Sequence, residues 1–250
     1  MKNRKYQVNE SFFNSWSRDM AYVLGFITAD GTVSKYSLGI ELKKSDESVL
    51  QFIKENLAPN SAIASSKKSY ARLRINSIAL VKSLVKFNVI QNKTKSIKID
   101  FDIPDEFFAD YLRGLFDGDG WATNRRNIVE SGICSGSEGF LDYFHLRTRI
   151  GKVRKRTKKD KVYWVWEMNY SDSLKFREMI YDKGGFCLER KKSKFFFVRR
   201  PKSSKYWREE EVDFLKENHT GLRGNLHFLA DSLKRSRKAI SKKVWELGLA

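Results

Sequence analysis

The chain holds two cysteines, Cys134 and Cys187, and no Cys-x-x-Cys pair, so a cysteine-built zinc site is excluded. Two thiols in 250 residues fit a reducing, cytoplasm-like compartment, with one disulfide as the remaining option. Organelle, bacterial and phage hosts all stay open. Histidine is equally scarce. His145, His219 and His227 stand apart from one another, which argues against a His-metal finger and gives a Ser-His-Asp triad little support. No apolar run approaches the ~18 residues that would suggest a membrane span. The opening MKNRKYQVNE lacks the apolar core of a secretory signal, so export is not expected. Acidic residues are also in deficit: 30 Asp+Glu face 49 Lys+Arg, a formal charge of +19.

What is present suits a basic globular protein. A hydrophobic share of 41% is enough for a core, and the length suits one large domain or two smaller ones. With a pI near 9.8 and 14% aromatics among the basic residues, the expected partner is a polyanion, and nucleic acid fits best.

One pattern occurs twice. MAYVLGFITADG (20–31) and DYLRGLFDGDG (110–120) are apolar helical runs closed by small residues, Asp and Gly, and Asp30 and Asp119 lie 89 residues apart. The segments after the two motifs correspond as well. YSLGIELKK (36–44) alternates as a strand, with Leu38, Ile40 and Leu42 on one face and Gly39, Glu41 and Lys43 on the other. A helix is predicted around 46–57, then a hairpin turning near Lys67–Ser69, with Leu73 and Ile75 inward and Arg72, Arg74 and Asn76 outward. A helix over 77–88 leads to NKTKS (92–96). In the second half, 127–135 reads as a strand and 138–150 as a helix. A hairpin turning near Lys159–Asp160 then puts Val162, Trp164, Trp166 and Met168 on one face. Helix 171–181 leads to RKKSK (190–194). Each half reads helix–hairpin–helix–hairpin–helix. The stretch 191–205 reads as a linker, giving expected domains at 1–105, 106–200 and 206–250.

The motif spacing has its own physical content. Gly25 and Ala29, like Gly114 and Gly118, are i,i+4 small residues that let two helix backbones approach closely. That contact would bring Asp30 and Asp119 together at two helix C-termini, where the free carbonyls already carry negative charge. A carboxylate at each makes a pocket that calls for a cation. A divalent ion with oxygen ligands fits: Mg²⁺, or Mn²⁺ in its place. Paired ions of this kind hydrolyse phosphodiesters.

VLGFITADG (23–31) and LRGLFDGDG (112–120) resemble the two motifs of single-chain LAGLIDADG homing endonucleases, over roughly residues 15–200. The resemblance implies an α+β fold: a pseudo-twofold pair of αββαββα repeats forming a β-saddle on double-stranded DNA. It implies a monomer that cuts a long specific site, with Asp30 and Asp119 as metal-binding catalytic acids and the carbonyls of Ala29 and Gly118 as further ligands. Lys95 and Lys192 resemble the family's late lysine near the scissile phosphates, with Lys93 and Lys191 adjacent. Motif 1 departs from motif 2 in having Thr28 where motif 2 has Asp117. The saddle face would offer Lys43, Arg72, Arg74, Arg125, Lys152, Arg154, Arg156 and Asn169 to DNA.

Residues 206–250 read as three helices. The first begins with Trp207, Phe214 and Leu215, and the second holds Leu229, Ala230 and Leu233. Ser236 caps the third, which turns Ala239, Ile240, Val244 and Leu247 inward. The module resembles Myb-like or helix-turn-helix domains, which implies that outward Arg237, Lys238, Ser241 and Lys242 meet DNA. A three-helix protein-interaction domain is the alternative. For the whole chain the alternatives are a non-cutting DNA-binding regulator, an RNA maturase acting on an intron, and a PD-(D/E)xK nuclease built on Asp30 and Glu41-Leu42-Lys43. Met1 and the lack of a terminal His-Asn speak against an intein.

Overall fold

The computed structural model describes residues 6–90, 97–125, 128–196, 207–221 and 225–249, the Lys67 side chain excepted. The chain divides into two compact units, one built on the repeats and one on the C-terminal helices.

The first repeat runs α1 (Arg18–Asp30), β1 (Thr32–Val33), β2 (Ser37–Lys43), α2 (Glu47–Leu57), β3 (Ile63–Lys67), β4 (Tyr70–Asn76) and α3 (Ile78–Val85). Ser17 caps α1, its hydroxyl oxygen accepting from the Met20 amide at 3.1 Å. From Met20 to Thr28 every residue of α1 is buried, as befits a helix that is apolar nearly all round. The strands form an antiparallel sheet in the order β1-β2-β4-β3. The register sets Leu38 opposite Ile75 and Ile40 opposite Leu73, and all four are buried. The same register sets Gly39 opposite Arg74 and Glu41 opposite Arg72 on the other face.

The second repeat has the same plan with one helix more among the described residues: α4 (Asp105–Asp119), β5 (Gly120–Arg125), β6 (Ile128–Ser135), α5 (Glu138–Thr148), β7 (Lys152–Lys158), β8 (Lys161–Met168), α6 (Tyr170–Tyr181) and α7 (Glu189–Phe196). Its sheet order is β5-β6-β8-β7. Lys159 and Asp160 both have positive φ, 48° and 60°, the twist a two-residue hairpin requires. Trp166 is buried at the sheet's core face and donates its indole N–H to the Ile150 carbonyl at 2.7 Å.

Two boundaries depart from the expected ones. Residues 191–196, expected in the linker, belong to α7. Leu188, Lys191 and Phe195 recur at i, i+3, i+7 and are all buried, so one face of this basic segment packs as a helix does. The rest of the expected linker lies outside the described residues. In the C-terminal unit, helix α8 (Glu209–Asn218) starts after Trp207, whose ring lies 3.8 Å from the Arg235 guanidinium. Helices α9 (Asn225–Ser232) and α10 (Arg237–Glu246) complete the unit around Leu215, Leu229, Ala230, Ile240 and Val244. Ser236 does cap α10, accepting from the Ala239 amide. Arg235 and Glu211 form a largely buried ion pair at 3.2 Å beneath these helices.

Candidate functional site

The site is assembled where α1 and α4 touch. A Cβ placed on Gly25 would lie 2.0 Å from the Tyr111 carbonyl oxygen, and one on Gly114 the same distance from that of Tyr22. No side chain fits either position. Nearer the helix ends, a Cβ on Gly118 would lie 2.3 Å from the Ala29 Cβ and 3.5 Å from the Asp30 Oδ2. The first repeat's carboxylate therefore reaches across to the end of the second repeat's helix. Asp30 and Asp119 are both exposed at this junction, each the last residue of its helix.

The helix pair is also tied crosswise. Tyr22 donates its phenolic proton to Asp117 Oδ2 at 2.9 Å, and Tyr111, 89 residues later, donates to Thr28 Oγ1 at 3.2 Å. Position 28 and position 117 thus serve the same contact with different groups. Thr28 passes its own proton to the Leu24 carbonyl at 2.7 Å. Asp117 is buried, and that burial pushes its carboxyl up to about 6, against the pull of the Leu188 amide and the Tyr22 hydroxyl. Its Oδ1 has no hydrogen-bond partner among the described residues.

Lys191, 7% exposed, closes the end of α4. Its Nζ donates to the carbonyls of Phe116 and Asp117 at 2.8 Å and of Gly118 at 2.9 Å at the helix C-terminus, where the Phe116 carbonyl also accepts from the Gly120 amide. Burial lowers its pKa to about 8, while the charges of Asp117, Asp30 and Asp119 oppose that shift. The ammonium group thus sits in the field of both candidate ligands. Lys192, 32% exposed, lies 3.3 Å from Glu189. Lys95 and Lys93 lie outside the described residues. Arg190 anchors the start of α7 on the first repeat, gripping Asp46 with Nε–Oδ1 at 2.6 Å and Nη2–Oδ2 at 2.5 Å. Burial of Asp46 opposes ionisation, but those two bonds outweigh it and hold the carboxyl below its ordinary range.

A cleft beside the helix ends is lined by Thr28, Ala29, Asp119, Cys134 and Tyr163, so Asp119 opens toward residues of β6 and β8. Burial, then the charge of Asp119, pushes the Cys134 thiol up. Cys134 and Cys187 are both free thiols. Among the described residues no group of three or more His, Cys, Asp and Glu side chains is placed to hold a metal ion. Two carboxylates with nearby carbonyls are a hard-oxygen donor set, and they suit an ion whose shell is completed by phosphate and water.

The outward arginines are pre-set by acids. Arg72 lies 2.8 Å from Glu41, which also accepts from Ser66 at 2.5 Å. Arg154 and Arg156 both pair with Glu167, the latter at 2.5 Å. Lys43, Arg74 and Lys152 are exposed on β2, β4 and β7, and Arg125 is exposed at the end of β5. Asn169, also exposed, has a local role as well: its Oδ1 accepts from the Asp172 amide at 3.0 Å as the N-cap of α6. Arg237, Lys238, Ser241 and Lys242 are exposed on α10. Sequence reasoning missed the crosswise tyrosines, although their shared offset of 89 was a signal, and the capping role of Lys191.

Residues 17–87 match the model of the LAGLIDADG-like domain. A curated relative, the DNA-directed RNA polymerase subunit Rpo1C of Methanocaldococcus jannaschii, is 28% identical over 184 residues, which is 70% of this chain. The chain spans about a fifth of that relative's length, 20%. Among solved structures, LAGLIDADG meganuclease I-AabMI bound to uncleaved DNA superposes with a TM-score of 0.53 at 15% identity, over 86% of this chain and 98% of that one. The I-SmaMI LAGLIDADG homing endonuclease bound to cleaved DNA gives 0.48 at 14%, over 88% and 96%. The likeness to I-AabMI is one of fold.

Proposed function

Starting from a chain that carries a LAGLIDADG-like domain within the LAGLIDADG meganuclease fold, we propose that it is a site-specific endonuclease of double-stranded DNA, active as a monomer. The observation that carries this reading is the abutment of α1 and α4 at their C-terminal ends, which sets the Asp30 carboxylate beside Gly118, the neighbour of Asp119. Both repeats needed for an acid pair are already in one chain, which is the ground for expecting a monomer.

In this reading Asp30 and Asp119, with the Ala29 carbonyl, would hold divalent ions, Mg²⁺ or Mn²⁺; the Gly118 carbonyl, the other ligand the resemblance implies, already accepts from the Lys191 ammonium. Such ions stabilise the charge on the attacking and leaving oxygens of phosphodiester hydrolysis. The protein's own groups do the rest. Lys191 offsets the negative end of α4 and so presents Asp119 at a helix terminus that would otherwise repel it. Arg72, Arg154 and Arg156, held by Glu41 and Glu167, take phosphates in fixed directions, and the exposed Lys43, Arg74, Arg125 and Lys152 extend that face. Lys95 and Lys192 remain candidates for contacting the scissile phosphates. The C-terminal unit serves as a helix-turn-helix-like DNA-binding module, with α10 meeting the duplex.

Asp30→Asn and Asp119→Asn test this directly. Each is expected to abolish double-strand cleavage in Mg²⁺ while DNA binding survives. A wild-type chain that binds DNA tightly but cuts nothing in a randomised library would be a regulator instead.

A further inference from the structure

The C-terminal unit leaves on its surface a large aromatic that its own core does not use. Trp245 on α10 is 76% exposed, whereas Trp207 packs against the unit's core. Along α10, Ile240 and Val244 point inward. At about 100° per residue, Trp245 falls on the opposite side, one turn beyond Ser241 and two turns beyond Lys238. Lys238, Ser241 and Lys242 are exposed around it, with Arg237 at the start of the same helix. The nearby acid Glu246 is already engaged, 3.8 Å from Lys242 and 3.4 Å from Lys243. The outer face of α10 is therefore cationic, with one indole in its midst.

We propose that Trp245 is the apolar anchor by which α10 grips a DNA duplex, packing on sugars and base edges while Arg237, Lys238 and Lys242 take the phosphates on either side. This rests on the reading of the C-terminal unit as a DNA-binding module. Charge selects the occupant. A second copy of the same face would set like charges against one another, whereas a duplex offers phosphates to the cations and apolar sugar and base surface to the ring. Dimensions agree as well. Seven residues separate Lys238 from Trp245, roughly 10 Å along the helix, or about three base-pair steps.

The test uses the full-length chain, a labelled pool of random-sequence duplexes, and EDTA to prevent cleavage, with binding measured across a range of KCl. Trp245→Ala is expected to weaken binding about tenfold at every salt concentration, since an apolar contact releases no counterions. Its log–log salt slope should match wild type, and Trp245→Phe should recover most of the affinity. Arg237→Ala with Lys238→Ala should instead flatten the slope by about 2. Wild-type affinity for Trp245→Ala, beside a weakened arginine–lysine variant, would overturn the anchor and leave the module reading standing. Wild-type affinity and slope for both would overturn the anchor and the module reading together. If Trp245→Ala changed only self-association in sedimentation, the face would belong to a second copy, which also overturns the proposal.

Discussion

Lys191 directs its amino group at three successive carbonyls of α4, a task for which a charged side chain must be buried almost completely. Lys191→Met keeps the stem and removes the donor, depriving the Asp117 and Gly118 carbonyls of their ammonium partner at a cost of about 2 kcal/mol. Urea melts should show that loss, while Lys192→Met, at a partly exposed position, should shift the midpoint little. Equal midpoints for the two variants would remove the capping role. Asp46 makes a second prediction. Its pKa is depressed in the folded state, so its contribution is present above the ordinary carboxylate range and is lost as pH falls through the folded value. The stability gap between wild type and Asp46→Asn should therefore be full at neutral pH and shrink below about pH 4. A gap that is constant with pH would mean that Arg190 does not hold Asp46 in its ionised form. Neither role was legible in the sequence. A lysine within RKKSK reads as solvated, and the partner of Arg190 lies 144 residues upstream.

The elements themselves were easier to read, because period-2 alternation in β2, β4 and β8 and the apolar runs of α1 and α4 leave few other foldings. The small-residue spacing correctly anticipated that α1 and α4 meet. Gly25→Leu should consequently force the two backbones apart, with a destabilisation of about 3 kcal/mol in urea or thermal melts. A variant as stable as wild type would mean that the helices do not touch at that level. Helix α7 was hidden for a physical reason: a lysine stem can line a helix's inner face while its amino group finds carbonyls, so a polar run can conceal a packed helix. The start of α8 was misplaced because Trp207 packs on Arg235 from outside the helix. Asn169 lies next to the basic face in sequence, yet its capping bond to Asp172 depends on where α6 begins.

For the whole molecule, the +19 charge and the division into two compact units make joint demands. If about ten phosphates are neutralised, binding should fall with salt at a log–log slope of about −9. Deleting 204–250 should leave a folded, metal-dependent nuclease with weaker binding, a shallower slope and a shorter footprint, and an unchanged footprint would assign the C-terminal unit to another partner. The pairing of two repeats was legible in the sequence, since the Asp-Gly motifs and the elements after each recur in order. What the end of α4 looks like was not, because it depends on α7 folding back 71 residues or more downstream to place Leu188 and Lys191 there. The decisive measurement is selection of cleaved sites from a randomised duplex library in Mg²⁺, run with wild type and with the Asp30→Asn, Asp119→Asn double variant. Wild type is expected to enrich one long site cut on both strands, and the double variant to bind that site without cutting it. Cleavage of the same site by the double variant would contradict the central claim that these two aspartates form the catalytic centre.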